Sequence, residues 1–93
     1  MTDFEIEYSE ESLFQLRGLD IPIAKRIILK IESTRSDPHR FFVKLVGRTE
    51  YKLRVAGYRV ISDIEENRRV IVIRSLGHRR NISKLPAPSN VIF

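Results

Sequence analysis

Tyr51-Lys52-Leu53-Arg54-Val55-Ala56-Gly57-Tyr58-Arg59 reads as one strand, a tight turn and the start of a second strand. Tyr51, Leu53 and Val55 fall on one side, and Lys52, Arg54 and Ala56 on the other, the period-two alternation of a strand half buried against a core. Gly57 takes a positive φ at little cost, so a two-residue loop at Ala56-Gly57 is the economical reading, although alanine suits a primed turn poorly. That loop sets the register. Val55 opposes Tyr58 and Leu53 opposes Val60 on the apolar side, while Arg54 opposes Arg59 on the polar side with Lys52 beside them. Like charges placed opposite one another destabilise a sheet. Three cations on one side of a hairpin therefore either form a solvated basic face or serve a polyanion.

Downstream, Tyr58 to Glu65 continues as a strand, Glu66-Asn67-Arg68 supplies a turn, and Arg69 to Leu76 carries the β-branched run Val70-Ile71-Val72-Ile73 before Gly77 closes the meander. Phe41 to Gly47 is apolar on both sides and fits a short strand or a loop packed on the core. Near the start, Phe4-Glu5-Ile6-Glu7-Tyr8 alternates strictly, a strand with Phe4, Ile6 and Tyr8 inward. Ser9 is a good N-cap, Glu10 and Glu11 suit a first helical turn, and Leu13, Phe14 and Leu16 give a short apolar stripe before Gly18. Asp20-Ile21-Pro22 restarts a helix, in which Ile23, Ala24, Ile27, Ile28 and Ile31 recur at helical spacing opposite Lys25, Arg26, Lys30 and Glu32. Ser36-Asp37-Pro38 ends it. The expected fold is α+β: an N-terminal strand and a two-helix hairpin packed on a curved antiparallel sheet, in the order β-α-α-β-β-β.

Ninety-three residues make one domain, expected over residues 1–85, with a proline-rich tail at 86–93. There is no cysteine and only two histidines, His39 and His78, so neither disulfides nor a metal site of the usual ligand types is expected, and no cofactor. No apolar run is long enough to span a membrane and the acidic Met1 to Tyr8 is unlike a signal peptide, so the expected location is the cytoplasm, with no membrane partner. The net charge of +5 is uneven: residues 1–20 hold six acids and one base, leaving sixteen bases and six acids in residues 21–93. The basic part is the expected nucleic-acid surface.

The order of elements, Lys44-Leu45-Val46-Gly47 before Tyr51-Lys52-Leu53-Arg54, then Gly57-Tyr58-Arg59-Val60, and finally Leu76-Gly77-His78-Arg79-Arg80 together resemble the RelE/ParE superfamily of bacterial and archaeal toxins, and within it the RelE branch. The resemblance covers about Phe4 to Lys84. It implies a RelE-like fold and a small basic mRNA interferase, an endoribonuclease that cuts messenger RNA in the ribosomal A site. It also implies a RelB-like antitoxin as partner, in a toxin–antitoxin hetero-oligomer, and no cofactor. Carried over by position, it implies catalytic roles for Lys52 or Arg54 on the first strand, Arg59 on the second and Arg79 after the last.

The chemistry of such a cut agrees with those residue types. Attack of a ribose 2′-hydroxyl on the adjacent phosphate needs a base, cations on the phosphorane and an acid for the departing 5′-oxygen. Arg54, Arg59 and Arg79 suit phosphate clamping, because a forked guanidinium binds bidentately and stays charged. Lys52, a lysine among arginines, is the candidate base. His78 is either an acid or base in the site or a hydrogen-bonded residue closing the last strand. Arg80 and Lys84 read as peripheral phosphate contacts, and Lys44 and Arg48 extend the same surface. RelE members often carry a tyrosine shortly after the His-Arg-Arg segment; here the matching position is Ser83, which can donate a hydrogen bond but cannot stack on a base. Two other readings remain: a ParE-like inhibitor of DNA gyrase, and a catalytically silent RNA-binding module.

Overall fold

The computed structural model describes residues 3–78. The chain runs β1 (Glu5–Tyr8), α1 (Glu10–Arg17), α2 (Ile21–Ser33), α3 (Pro38–Phe41), β2 (Val43–Lys44), β3 (Tyr51–Val55), β4 (Tyr58–Glu65) and β5 (Val70–His78), with one five-stranded sheet in the order β1-β5-β4-β3-β2. The α+β class holds, with a strand, two helices and a β3-β4-β5 meander as the patterning requires. Three features go beyond it. A one-turn helix follows Pro38, whose fixed φ suits a first helical turn. The apolar stretch from Phe41 contributes the two-residue strand β2 at the sheet edge. Finally, β1 enters the sheet parallel to β5, so the sheet is mixed. Such a pairing needs a long crossover, which α1 and α2 supply.

The hairpin has the register its sequence implies, with Val55 opposite Tyr58, Leu53 opposite Val60 and Arg54 opposite Arg59. Ala56 and Gly57 both take positive φ, 53° and 80°, so alanine does occupy the left-handed region, at a cost of roughly 1–2 kcal/mol. At the N-terminus of α1, the Ser9 hydroxyl accepts from the Ser12 amide at 3.0 Å, the cap its position suggested. Gly18 ends α1 with φ −82°, so it stops the helix without using the left-handed region.

The core lies between the two longer helices and one face of the sheet, α1 over β5 and α2 over β3. Ile27 and Ile31 of α2 meet Leu53, Val55, Val60, Ile71, Ile73 and Leu76 of the sheet, with Phe4 and Phe42 at the margins. Ile28, assigned to the apolar stripe by spacing, is 37% exposed and lies at its border. Tyr51 and Tyr58 are half buried against this core. The opposite face carries no helix and presents Lys52, Arg59, Ile61, Asp63, Val72, Arg74 and Ser75.

One irregularity shapes that open face. Ile61 pairs with Ser75 but Ser62 pairs with Ile73, so Arg74 is an extra residue in β5, a β-bulge. It lets Ile73 and Leu76, three apart, both point into the core, while Arg74 and Ser75 both turn outward. The bulge is anchored from α1. The Ser9 hydroxyl donates to the Arg74 carbonyl at 2.6 Å, and the Gln15 side-chain oxygen accepts from the Leu76 amide at 2.6 Å.

Candidate nucleic-acid interface

On the open face a cleft of about 360 Å³ lies between the β2–β3 loop and the bulged part of β5. Ile61, Ser75 and Leu76 contribute apolar and small surface, Leu45 and Val46 form a wall, and Arg48, Glu50, Arg59 and Arg74 supply the charge. The loop is held in place by backbone bonds from Leu45 N to Glu50 O at 2.9 Å and from Arg48 N to Leu45 O at 3.2 Å, with Gly47 at φ 71°. Across it, the Arg48 Nε–H donates to the Glu50 carboxylate at 3.0 Å. That hydrogen bond, followed by the charges of Arg48 and Arg74, holds the Glu50 carboxyl below the usual carboxylate range against the opposing effect of burial.

Arg59 is the least conventional group in the cleft. It is half buried, and its Nε–H is wholly shielded from solvent without a partner among the described residues. Leaving such a donor unpaired costs about 1–3 kcal/mol. Native proteins rarely do so without a reason. Arg74 differs: its Nε–H donates to Asp63 at 2.9 Å across the strands, while over half of its side-chain surface stays exposed (55%).

The residues singled out by sequence divide into three places. Arg59 and Arg48 line the cleft. Lys52 and Arg54 instead line a groove on the outer side of β3, with Lys30 of α2 and with Arg40, Phe41 and Val43. Arg54 and Arg59 are opposite in register, yet their side chains serve different hollows, which separates the two like charges. Lys44 lies on the outer side of the β2–β3 loop with Gly47 and Thr49. His78, the last residue of β5, pairs with Tyr58 and meets its ring edge-on at 5.5 Å, beside an apolar hollow lined by Phe14, Leu19 and Leu76 on the helix-covered side. It is therefore not brought together with Arg59. Arg79, Arg80, Ser83, Lys84 and the tail 86–93 lie outside the described residues.

Sequence reasoning passed over Arg74, Glu50 and Asp63. For Arg74 the signal existed in principle, as a cation interrupting the apolar run of β5, but its direction depends on the bulge. Glu50 was legible only as a charge near the start of a strand. Among the described residues, no helix is long and apolar enough to cross a membrane.

The sequence model of the ParE toxin of the parDE type II toxin–antitoxin system matches residues 6–82. No curated protein matches the chain in sequence. Among solved structures, the toxin–antitoxin complex RelBE2 from Mycobacterium tuberculosis is similar with a TM-score of 0.74 at 16% identity, over 84% of this chain and 100% of that one. The archaeal RelE–RelB complex from Pyrococcus horikoshii OT3 gives 0.71 at 22% identity, over 84% and 97% of the two chains. The intact Escherichia coli RelBE complex gives 0.68 at 24% identity, over 80% and 94%.

Proposed function

The chain belongs to the ParE toxin family of type II toxin–antitoxin systems, within the RelE/ParE superfamily, and from that premise we propose that it is a ribosome-dependent endoribonuclease cutting mRNA in the A site. The observation that carries this reading is the cleft itself, where half-buried Arg59 stands with Arg48 and Arg74, each held by a carboxylate. Phosphate oxygens are the acceptors that converging guanidinium groups fit. Charge-assisted bonds of this kind are about twice as strong as neutral ones.

On this reading the substrate's 2′-hydroxyl attacks the adjacent phosphorus, its proton passes to a base, and the P–O5′ bond breaks as an acid protonates the leaving oxygen. The products are a 2′,3′-cyclic phosphate and a free 5′-hydroxyl. Arg59 clamps the phosphate and stabilises the phosphorane, joined by Arg79, which follows β5 directly in sequence where that strand pairs with the start of β4. Lys52, cross-strand from Ile61 of the cleft, takes the 2′-hydroxyl proton. Arg54, Lys44, Arg48, Arg80 and Lys84 extend the phosphate-binding surface, and His78 or Ser83 serves the leaving group. A RelB-like antitoxin, as in the complexes of the structural relatives, keeps the toxin inactive in the cytoplasm.

Primer extension on a defined message, with and without programmed ribosomes, tests this. Cuts within A-site codons that disappear in Arg59→Ala support the nuclease. A second reading, inhibition of DNA gyrase, is favoured by the family description itself, which is that of ParE. No cuts in either condition, with loss of supercoiling in a gyrase assay, would replace the first reading by the second. Salt-dependent RNA binding without either activity would leave a silent RNA-binding module.

A further inference from the structure

Arg74 stands in the same cleft as Arg59 and owes its direction to the β-bulge. Three hydrogen bonds from the start of the chain fix the backbone there: Ser9 N to Ile73 O at 2.9 Å, the Ser9 hydroxyl to Arg74 O, and Leu76 N to the Gln15 side chain. Asp63 engages Arg74 through Nε alone. Of the five N–H donors of a guanidinium, four are then without a partner among the described residues. Asp63 also offsets part of the charge, which allows two guanidinium groups to share one cleft without full mutual repulsion.

We propose that Arg74 is a second phosphate-binding residue of the cleft, presented beside Arg59 by the anchored bulge and oriented by Asp63. This rests on the reading that the cleft receives an RNA strand. A plain cross-strand ion pair would not need the backbone of Arg74 fixed from a separate helix, and Arg74 lines the cleft with over half of its side-chain surface exposed. Bulges commonly re-aim a side chain next to a functional site.

The test uses Arg74→Gln, which can still donate to Asp63, and Arg74→Lys, which keeps the charge but not the fork. Binding of a fluorescent RNA strand with 2′-deoxy linkages, which cannot be cut, is followed by anisotropy against salt. Arg74→Gln is expected to lower the slope of log K against log salt by about 0.7, the value for one phosphate contact on a single strand, whereas Arg74→Lys keeps the slope. In ribosome-dependent cleavage, both variants are expected to lose roughly tenfold or more in kcat/KM. A folded Arg74→Gln protein with an unchanged slope overturns the proposal, as does a wild-type protein whose binding does not depend on salt. Wild-type protein that never cuts, while Arg74→Gln still lowers the slope, removes the nuclease reading and leaves the phosphate contact standing. Cleavage at wild-type rate by Arg74→Lys overturns the need for a forked donor.

Discussion

Two basic regions lie on either side of β3, and they are built on different principles. In the cleft over β4 and β5, each arginine is set by a neighbour: Arg48 by Glu50, Arg74 by Asp63, and Arg59 by burial. In the groove outside β3, Arg26, Lys30, Arg40, Lys52 and Arg54 gather with no acidic residue among those lining it. There Lys30 and Arg40 lie over the Phe41 ring, at 5.1 Å and 5.9 Å from its centroid. The lesson is that cation number and cation order are separate properties. A field of unpaired cations attracts any polyanion, but stabilising one developing charge needs donors whose positions are fixed beforehand.

The contrast is broken most directly by comparing Arg59→Ala with Arg54→Ala. Loss of the ordered donor is expected to slow A-site cleavage by roughly 10²–10³-fold, while loss of the field cation costs about tenfold or less. Equal losses in primer-extension rates would show that the two regions are one site. Gln15→Leu comes next. It leaves the Leu76 amide without its acceptor, so urea denaturation should show about 1–2 kcal/mol of destabilisation, and the loosened bulge should slow cleavage further than that stability loss explains.

In the groove, Lys30→Ala combined with Arg40→Ala should act on KM more than on kcat, raising it a few-fold. A large fall in kcat would show that Lys30 and Arg40 act on the reacting groups and not on binding alone. The smallest expected effect is one of pH. Arg48 holds Glu50 below the ordinary carboxylate range, so the stabilising contribution of the pair is present above the unfolded carboxylate pKa and is lost as pH falls through the lowered folded value. Amide protection factors at Arg48 and Glu50, taken after correction for the intrinsic pH dependence of exchange, should therefore fall on acidification, and Glu50→Gln should abolish that acid limb. The groove, with no acid among its lining residues, should show no matching change.

How much of this was legible follows from which interactions are local. The hairpin register came from the alternation of Tyr51 to Val55 and a two-residue turn, both short-range, so Arg54 falls opposite Arg59 as the spacing implies. The cap at Ser9 and the stripe of Ile27 and Ile31 were equally local. The parallel pairing of β1 with β5 was not, because a strand followed by two helices can re-enter a sheet on more than one edge. Nor was the division of the cations. Lys52, Arg54 and Arg59 share one side of a hairpin by period, but which hollow each long side chain lines depends on the loop and helices packed around the hairpin.

By itself, the sequence determined the family, the order of the longer elements and the side of the hairpin on which its cations stand, since these depend on spacing along the chain. Only the tertiary structure decided that Arg74 turns into the cleft, that Glu50 and Asp63 orient the guanidinium groups, and that His78 sits against Tyr58 on the other side. The first of those depends on one unpaired residue in β5 and on bonds between α1 and a strand some sixty positions later, where Gln15 meets Leu76 (separation 61). No periodicity encodes such a bond; it exists only once the helix is packed on the sheet.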